Sequence, residues 1–519
     1  MSMLKSVSAV GGFTLLSRLF GFVRDILLAR YLGAGMAADA FWVAFKLPNF
    51  FRRLFAEGAL AVSFVPLFAR LLGQETTPES QKAAEAFAGR VLGVLLPVLI
   101  LFLIIMEVAM APIIFGLTGG FDGDTVKFEL AVELGRYTFP YLLLISLVSF
   151  FGGILNVFGR YSAAAFAPVL LNLSMISALI IYGGDQIITA RALAISVSVA
   201  GILQLIWVYG AALKAGIRIS LPRPKLSSDV KELLRIMAPA AIGAGVMQIN
   251  LLIDMLMATR LLPEGSISWL VYADRLNQLP LAVIGIAVGT VLLPSISRLV
   301  ASGNDKLANS QQNKALEMSL FLTLPATFAL IIIAGPLIST LFEGGHAFTA
   351  TDAVATSGAL MVYACGLPAY VIAKILTPGY FARKDTKTPV RFAIVSMVIN
   401  TLLGLWLLQY WAHMGLAAAT AIAAWINAGM LYIGLVRRGH YTMLSETRLR
   451  VIKCLIASVV MGAVIWALHA ELAGSFAEAG WLRIGALALL IASGILVYAA
   501  SILGLRTFTM AELKRYVGR

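Results

Sequence analysis

Apolar runs of membrane-spanning length alternate with short polar breaks along almost the whole of this chain. Crossing a hydrocarbon core of ~30 Å takes about 20 helical residues. Measured against that length, the runs predict fourteen transmembrane helices, near 10–32, 36–70, 88–116, 130–157, 164–182, 188–212, 234–261, 267–297, 314–342, 353–380, 389–409, 414–436, 452–470 and 481–504. The second run is too long for a simple span, because about 35 residues at ~1.5 Å each exceed the bilayer core. Pro48 and Pro66 are its predicted breaks, since a proline inside a helix removes a hydrogen bond and crowds the preceding turn.

The breaks between runs differ in charge, and the difference orients the chain. Lys214, Arg218, Arg223, Lys225, Lys231 and Arg235 crowd one break, and Arg383, Lys384, Lys387 and Arg391 another. The alternate breaks carry Asp122, Asp124, Glu129 and Glu133, then Asp185, Glu264, Glu343 with Asp352, and Glu471 with Glu478. By the positive-inside bias the basic breaks are cytoplasmic, which fits fourteen spans with both termini inside. No removed signal peptide is expected, because Arg18 and Arg24 interrupt the first run.

Sequence similarity within the chain adds a repeat. FVPLFARL at 64–71 resembles VLLPSISRL at 291–299, and Pro140 and Pro368 have the same spacing of 228 as Pro66 and Pro294. Six spans return the chain to its starting side, so two copies would run parallel about an axis along the membrane normal. The expected organisation is an N-lobe over 1–213, a C-lobe over 214–440, and residues 441–519 as two further helices with a cytoplasmic tail. The fold class is thus an all-α polytopic membrane protein with two pseudo-symmetric six-helix lobes.

Composition agrees: 60% of residues are hydrophobic and 13% charged, against roughly 25% charged in soluble domains. The net charge of +14 would point a soluble chain toward nucleic acid; here cytoplasmic loop cations account for it, and no nucleic-acid partner is expected. Cys365 and Cys454 stand apart in apolar runs, without the spacing of a disulfide framework or a structural metal site.

The chemistry concentrates in residues 18–57, where Arg18, Arg24, Asp25, Arg30, Asp39, Lys46, Arg52, Arg53 and Glu57 stand among residues suited to a bilayer. Each ionisable group at bilayer depth costs about 2.5–3.5 kcal/mol on insertion scales, so the cluster needs water, partners or an anionic ligand. For any one Lys or Arg, snorkelling to the interface is the alternative. On a helical wheel Asp39, Lys46, Asn49, Arg53 and Glu57 fall within roughly 80°, a stripe suited to a wet cavity. In the first helix Arg18 and Asp25 share a face, with Arg24 about 120° away unless Gly21 distorts the helix. Six cations against three carboxylates leave +3, and an excess of arginine suits bidentate capture of phosphate oxygens. The internal repeat maps Lys46 onto Asp274, placing Asp274 and Arg275 at a comparable depth, with an Asp–Arg pair gluing helices as the alternative.

Catalytic groups are not legible. His346, His413, His440 and His469 lie near loops or span ends, and no P-loop, paired-carboxylate metal motif or Ser/His/Asp arrangement occurs. Asp254, with Asn400 and Thr420 as oxygen neighbours, is a candidate site for Na⁺ or a proton; pairing of Asp254 with Arg260 is the alternative.

The series SRLFGFVRDILLARYLGAGMAADAFWVAFKLPNFFRRLFAEGALAVSFVP at 17–66 closely resembles the MurJ (MviN) lipid II flippases, within the multidrug/oligosaccharidyl-lipid/polysaccharide exporter superfamily. The resemblance continues through residues 139–168, 268–298 and 377–390. It implies two six-helix lobes about a cationic cavity, with two C-terminal helices forming a groove for a polyprenyl tail. It also implies a transporter, not an enzyme, which moves the undecaprenyl-diphosphate-linked peptidoglycan precursor lipid II across the bacterial cytoplasmic membrane by alternating access. Its functional charges fall on Arg18, Arg24, Asp39, Arg52 and Arg275, with Asp25, Lys46, Arg53, Glu57 and Asp274 nearby; Asp39 is expected to pair with Arg24 or Arg275 without substrate. Membrane lipids and other cell-wall synthesis proteins are the further partners implied. The drive is Na⁺ or the membrane potential alone, because Gly404 stands where a second carboxylate is expected. A cation-coupled drug exporter, or an exporter of other polyprenyl-linked oligosaccharides, is the rival reading.

Overall fold

The computed structural model describes residues 3–508 apart from 74, 76, 290, 291, 346, 478 and 479. Its regular elements are helices α1 (Met3–Leu32), α2 (Met36–Phe51), α3 (Ala61–Leu72), α4 (Pro78–Val108), α5 (Met110–Thr118), α6 (Thr125–Thr138), α7 (Tyr141–Val157), α8 (Ser162–Tyr182), α9 (Gln186–Lys214), α10 (Ser228–Leu261), α11 (Ser266–Gly289), α12 (Leu292–Ala301), α13 (Asp305–Ile332), α14 (Ala334–Phe342), α15 (Ala350–Phe381), α16 (Lys387–Arg437), α17 (Ser445–Glu471), α18 (Ala473–Ala477) and α19 (Trp481–Gly504). No strand occurs among the described residues. Nine helices among them are long and apolar enough to cross a membrane, counting α6 with α7 and the whole of α16 as one each. Outward-facing Val108, Ile181 and Leu496 are each about 70% exposed or more, a surface that only an apolar solvent tolerates at this scale.

The long α16 merges two predicted spans. Ala412 has φ 46° and ψ −129°, and the chain turns back there. Gly415 permits the reversal, since a Cβ at that position would stand 2.4 Å from the Leu407 carbonyl oxygen.

The break in the second run also differs from the proline expectation. Pro48 and Pro66 both sit inside regular helix, in α2 and α3, and the irregular stretch lies between them as a π-helical segment over Arg52–Leu60. Pro48 has no N–H to give the Ala44 carbonyl, the usual consequence of an internal proline. The buried Thr138 hydroxyl of α6 donates to that oxygen instead, at 3.1 Å. The amide of Arg52 still donates to the carbonyls of Asn49 and Pro48, and the π-helical stretch begins at this residue. Segments of π-helix commonly mark functional sites.

The chain forms two compact units, Met1–Ser268 and Trp269–Arg519. In the first, α8 packs on α1 and α9, α2 on α6, and α10 on the π segment and α3. The buried Phe64 stacks on Phe87 and meets the tilted rings of Phe68 and Phe150. Residues beyond 213 belong to this unit because α10 is tied to it at both ends. Arg70 pairs with Glu232 and Arg90 with Asp229, while the Thr259 hydroxyl and the Arg260 guanidinium donate to the Leu117 and Gly116 carbonyls at the end of α5. Arg260 therefore caps α5, its guanidinium donating to the Gly116 carbonyl. In the second unit α15 packs on α13 and α16, and α17 on α13 and α19, around Leu316, Leu320, Ile375, Ala457, Met461 and Leu490.

Candidate functional site

Arg24 is the most deeply held of the clustered arginines. It is 8% exposed, and its guanidinium donates from Nε and Nη2 to Asp25 Oδ1 at 3.0 and 2.6 Å. Nη1 donates to Asn172 Oδ1 of α8 at 2.9 Å. Adjacent residues on a helix do not normally face one another, and the wheel accordingly separated Arg24 from Asp25. The arginine side chain is long enough to curl back along the α1–α8 contact, so the pairing of Asp25 is with Arg24. A self-neutralised pair of this kind avoids the cost of an isolated buried charge. On its Nε–Nη2 edge an anion would have to exchange with the Asp25 carboxylate. Arg18, two turns earlier on α1, is exposed.

Asp39 is fully occupied by other partners. Only 1% exposed, it pairs with Lys127 Nζ of α6 at 3.2 Å and accepts from the Gly265 amide at 2.8 Å, the Ser268 amide at 3.2 Å and the Ser268 hydroxyl at 2.8 Å. The expected partner of Asp39 was Arg24 or Arg275; Lys127 takes that place. The carboxylate caps the turn that opens α11, where unsatisfied helix N–H groups favour an anion. Lys127 also lies 4.7 Å over the Phe121 ring, so its charge is doubly accommodated.

The stripe along α2 holds as an α-helical face only to Phe51, because the π segment begins at Arg52 and a 3.6-residue wheel no longer applies beyond it. Lys46 is half-buried, Arg52 half-buried with Nε on Asn49 Oδ1 at 3.2 Å, and Arg53 exposed. The backbone of Glu57 lies in the π segment, and its side chain lies outside the described residues. Arg52 and Arg53 thus lie in the π-helical segment, where the helical hydrogen bonding is rearranged.

In the second unit Asp274 and Arg275 are half-buried on α11, and Gln278 donates to the Asp274 carboxylate. Of the oxygen donors considered for a cation, Asp254 belongs to the first unit, where Asn250 Nδ2 donates to it at 3.3 Å. Asn400 and Thr420 belong to the second; Asn400 is buried and the Thr420 hydroxyl donates to Leu416. Carboxylate, amide and hydroxyl oxygens suit a hard monovalent cation. Among the described residues no group of three His, Cys, Asp or Glu side chains comes together. His346 lies outside the described residues, and the His413 ring donates from Nε2 to the Ala355 carbonyl at 2.9 Å, a structural contact.

Two polar residues important to this geometry escaped sequence reading, as did Glu107, half-buried on α4. Lys127 sits among Asp122, Asp124, Glu129 and Glu133 and reads as part of an acidic loop. Asn172 is a single amide in APVLLNLSMISALII, and Glu107 a single carboxylate in LFLIIMEVAM. For the last two the signal was present: a polar side chain inside an apolar span is a functional or structural site by default.

A family model described as "Lipid II flippase MurJ" matches residues 28–485. A "Probable lipid II flippase MurJ" of Rhizobium tropici is 45% identical over 469 residues, covering 90% of this chain and 87% of that protein. One from Rhizobium meliloti (strain 1021) is 43% identical over 526 residues, covering 100% and 97%. The "Lipid II flippase MurJ" of Burkholderia cenocepacia is 35% identical, with 85% of each chain covered. Among solved structures, "Lipid II flippase MurJ, inward closed conformation" superposes with a TM-score of 0.77 at 26% identity, over 98% of this chain and 99% of that one. An inward-facing multidrug resistance MATE transporter of the MOP superfamily gives a TM-score of 0.68 at 16% identity, over 83% of this chain and 97% of that one, a likeness of fold alone. Matched over nearly its whole length by sequence and by structure, the chain belongs to the lipid II flippase MurJ family.

Proposed function

We propose that this protein is a lipid II flippase of the bacterial cytoplasmic membrane, a transporter that moves the undecaprenyl-diphosphate-linked disaccharide-pentapeptide from the cytoplasmic to the periplasmic leaflet by alternating access. The observation that carries the reading is the cationic excess of residues 18–57 in helices otherwise suited to lipid. Guanidinium groups match phosphate oxygens in pairs, and a diphosphate supplies the charge that would offset their cost in a low-dielectric setting. Arg18, Arg24, Lys46, Arg52 and Arg53 are the proposed diphosphate ligands, and Arg275 is proposed for the same role. Asp25, Glu57 and Asp274 would balance these cations when the diphosphate is absent, while Asp39 is neutralised by Lys127.

Fourteen spans in two six-helix lobes, with two C-terminal helices along which the polyprenyl chain stays in lipid and both termini in the cytoplasm, is the topology that goes with this reading. An inside-negative potential favours outward movement of the anionic headgroup, by about 2.3 kcal/mol per charge per 100 mV. Asp254, Asn400 and Thr420 are the oxygen donors that Na⁺ would use if the cycle is ion-coupled; a translocation rate unaffected by replacing Na⁺ with choline would leave the potential as the drive. Depletion of the protein in cells tests the function itself. Accumulation of chemically unaltered lipid II in the cytoplasmic leaflet is the expected outcome. A drug exporter would leave the precursor distribution unchanged, and a transferase would change the precursor's chemistry.

A further inference from the structure

Asn172 is 6% exposed on α8 and uses both ends of its amide on α1. Nδ2 donates to the Ser17 carbonyl at 2.9 Å, and Oδ1 accepts from Arg24 Nη1 at 2.9 Å. These partners fix the orientation of the amide, because a carbonyl oxygen only accepts and a guanidinium only donates. Asn172 is therefore a rigid strut between the α1 backbone and one edge of the Arg24 guanidinium.

The other edge is held differently. Nε and Nη2 both contact Asp25 Oδ1, a charged acceptor of the kind a phosphate oxygen also presents. A diphosphate would compete with Asp25 for that edge on equal chemical terms. It would gain nothing by displacing Asn172, which is neutral and anchored elsewhere. Without a fixed Nη1 the long side chain would sample several rotamers each time Asp25 let go, and an ordered guanidinium loses less entropy on binding.

We propose that Asn172 is a positioning residue for Arg24: it holds Nη1 in place while the Nε–Nη2 edge passes from the Asp25 carboxylate to an oxygen of the substrate diphosphate. The inference rests on the reading that Arg24 binds the diphosphate, and the two can fail separately.

The test uses the full chain in proteoliposomes, with the initial rate of lipid II translocation measured against its mole fraction in the bilayer. Asn172→Leu removes the acceptor and keeps the bulk; Asn172→Ala gives the same comparison if the leucine variant does not accumulate as folded protein. The expected result is a rise of about tenfold in the half-saturating lipid II fraction, the scale of one hydrogen bond to a charged group, with the maximal rate little changed. In an Arg24→Ala background the same substitution should produce no further rise. If Asn172 substitution lowers the maximal rate equally with and without Arg24, or leaves half-saturation unchanged while Arg24→Ala raises it, the positioning role is overturned and the diphosphate reading stands. If Arg24→Ala itself leaves half-saturation unchanged, both are overturned.

Discussion

The charged residues of this chain are held in two contrasting ways. In the first unit Asp39 and Lys127 form a pair almost wholly removed from solvent, and every oxygen of the carboxylate has a donor. In the second, Arg438 meets Asp385 at 2.5 Å beside the break between α15 and α16, with both side chains partly in solvent. The distances alone would rank the second pair as the stronger. Environment reverses that ranking: removing one partner of a buried pair strands a charge in low dielectric, whereas an exposed pair exchanges protein for water at little net cost. Asp39–Lys127 is therefore a structural pair of the interior, and Arg438–Asp385 a surface pair.

The largest effect that would sharpen this contrast is Lys127→Ala. It leaves Asp39 buried without its cation, and a loss of about 3–5 kcal/mol in unfolding free energy is expected. Denaturant titration of the purified chain measures it, and the double variant with Asp39→Asn should recover part of the loss. Next is Thr138→Val, which keeps the shape but leaves the Ala44 carbonyl without the donor that replaces the N–H absent at Pro48. About 1–3 kcal/mol is expected from one unsatisfied buried acceptor. The smallest is Arg438→Ala, for which the same titration should show about 0–1 kcal/mol; a loss as large as that of Lys127→Ala would break the comparison.

The exposed pair also makes a prediction about pH. Hydrogen bonds from Thr388, then the Arg438 guanidinium, hold the Asp385 carboxyl down to about 2. A folded-state value below the unfolded value near 3.9 means that the contribution is complete above about pH 4–5 and is lost as pH falls toward 2. Asp385→Asn should lower stability above about pH 4–5, leave it unchanged toward pH 2, and so flatten the acid limb of the stability profile over that window.

How much of this was legible in the sequence follows from which forces have short-range signatures. Apolar run length fixes helix placement, and α8, α9, α17 and α19 fall close to where hydropathy places them, while the run predicted at 88–116 is divided between α4 and α5. The π segment was not legible, since Pro48 and Pro66 marked its neighbourhood while the rearrangement itself falls at Arg52. Helical periodicity located charges that need partners, but partner choice depends on contacts across the fold. Asp39 with Lys127 is a separation of 88 residues, and Arg24 with Asn172 one of 148. No local pattern encodes either. The segment 214–268 was assigned by its place in a repeat, and its packing with the first unit follows from side chains such as Arg70, Arg90, Asp229 and Glu232 that a repeat comparison does not weigh.

The central claim is that the arginines near the start of the chain bind a diphosphate, and it is tested most directly by lipid II translocation in proteoliposomes carrying Arg18→Ala, Arg24→Ala or Arg52→Ala, each at wild-type protein level. The account predicts that each variant requires a higher lipid II fraction for half-maximal rate, with Arg24→Ala the most affected. Translocation by all three variants at the wild-type rate and half-saturation would contradict it.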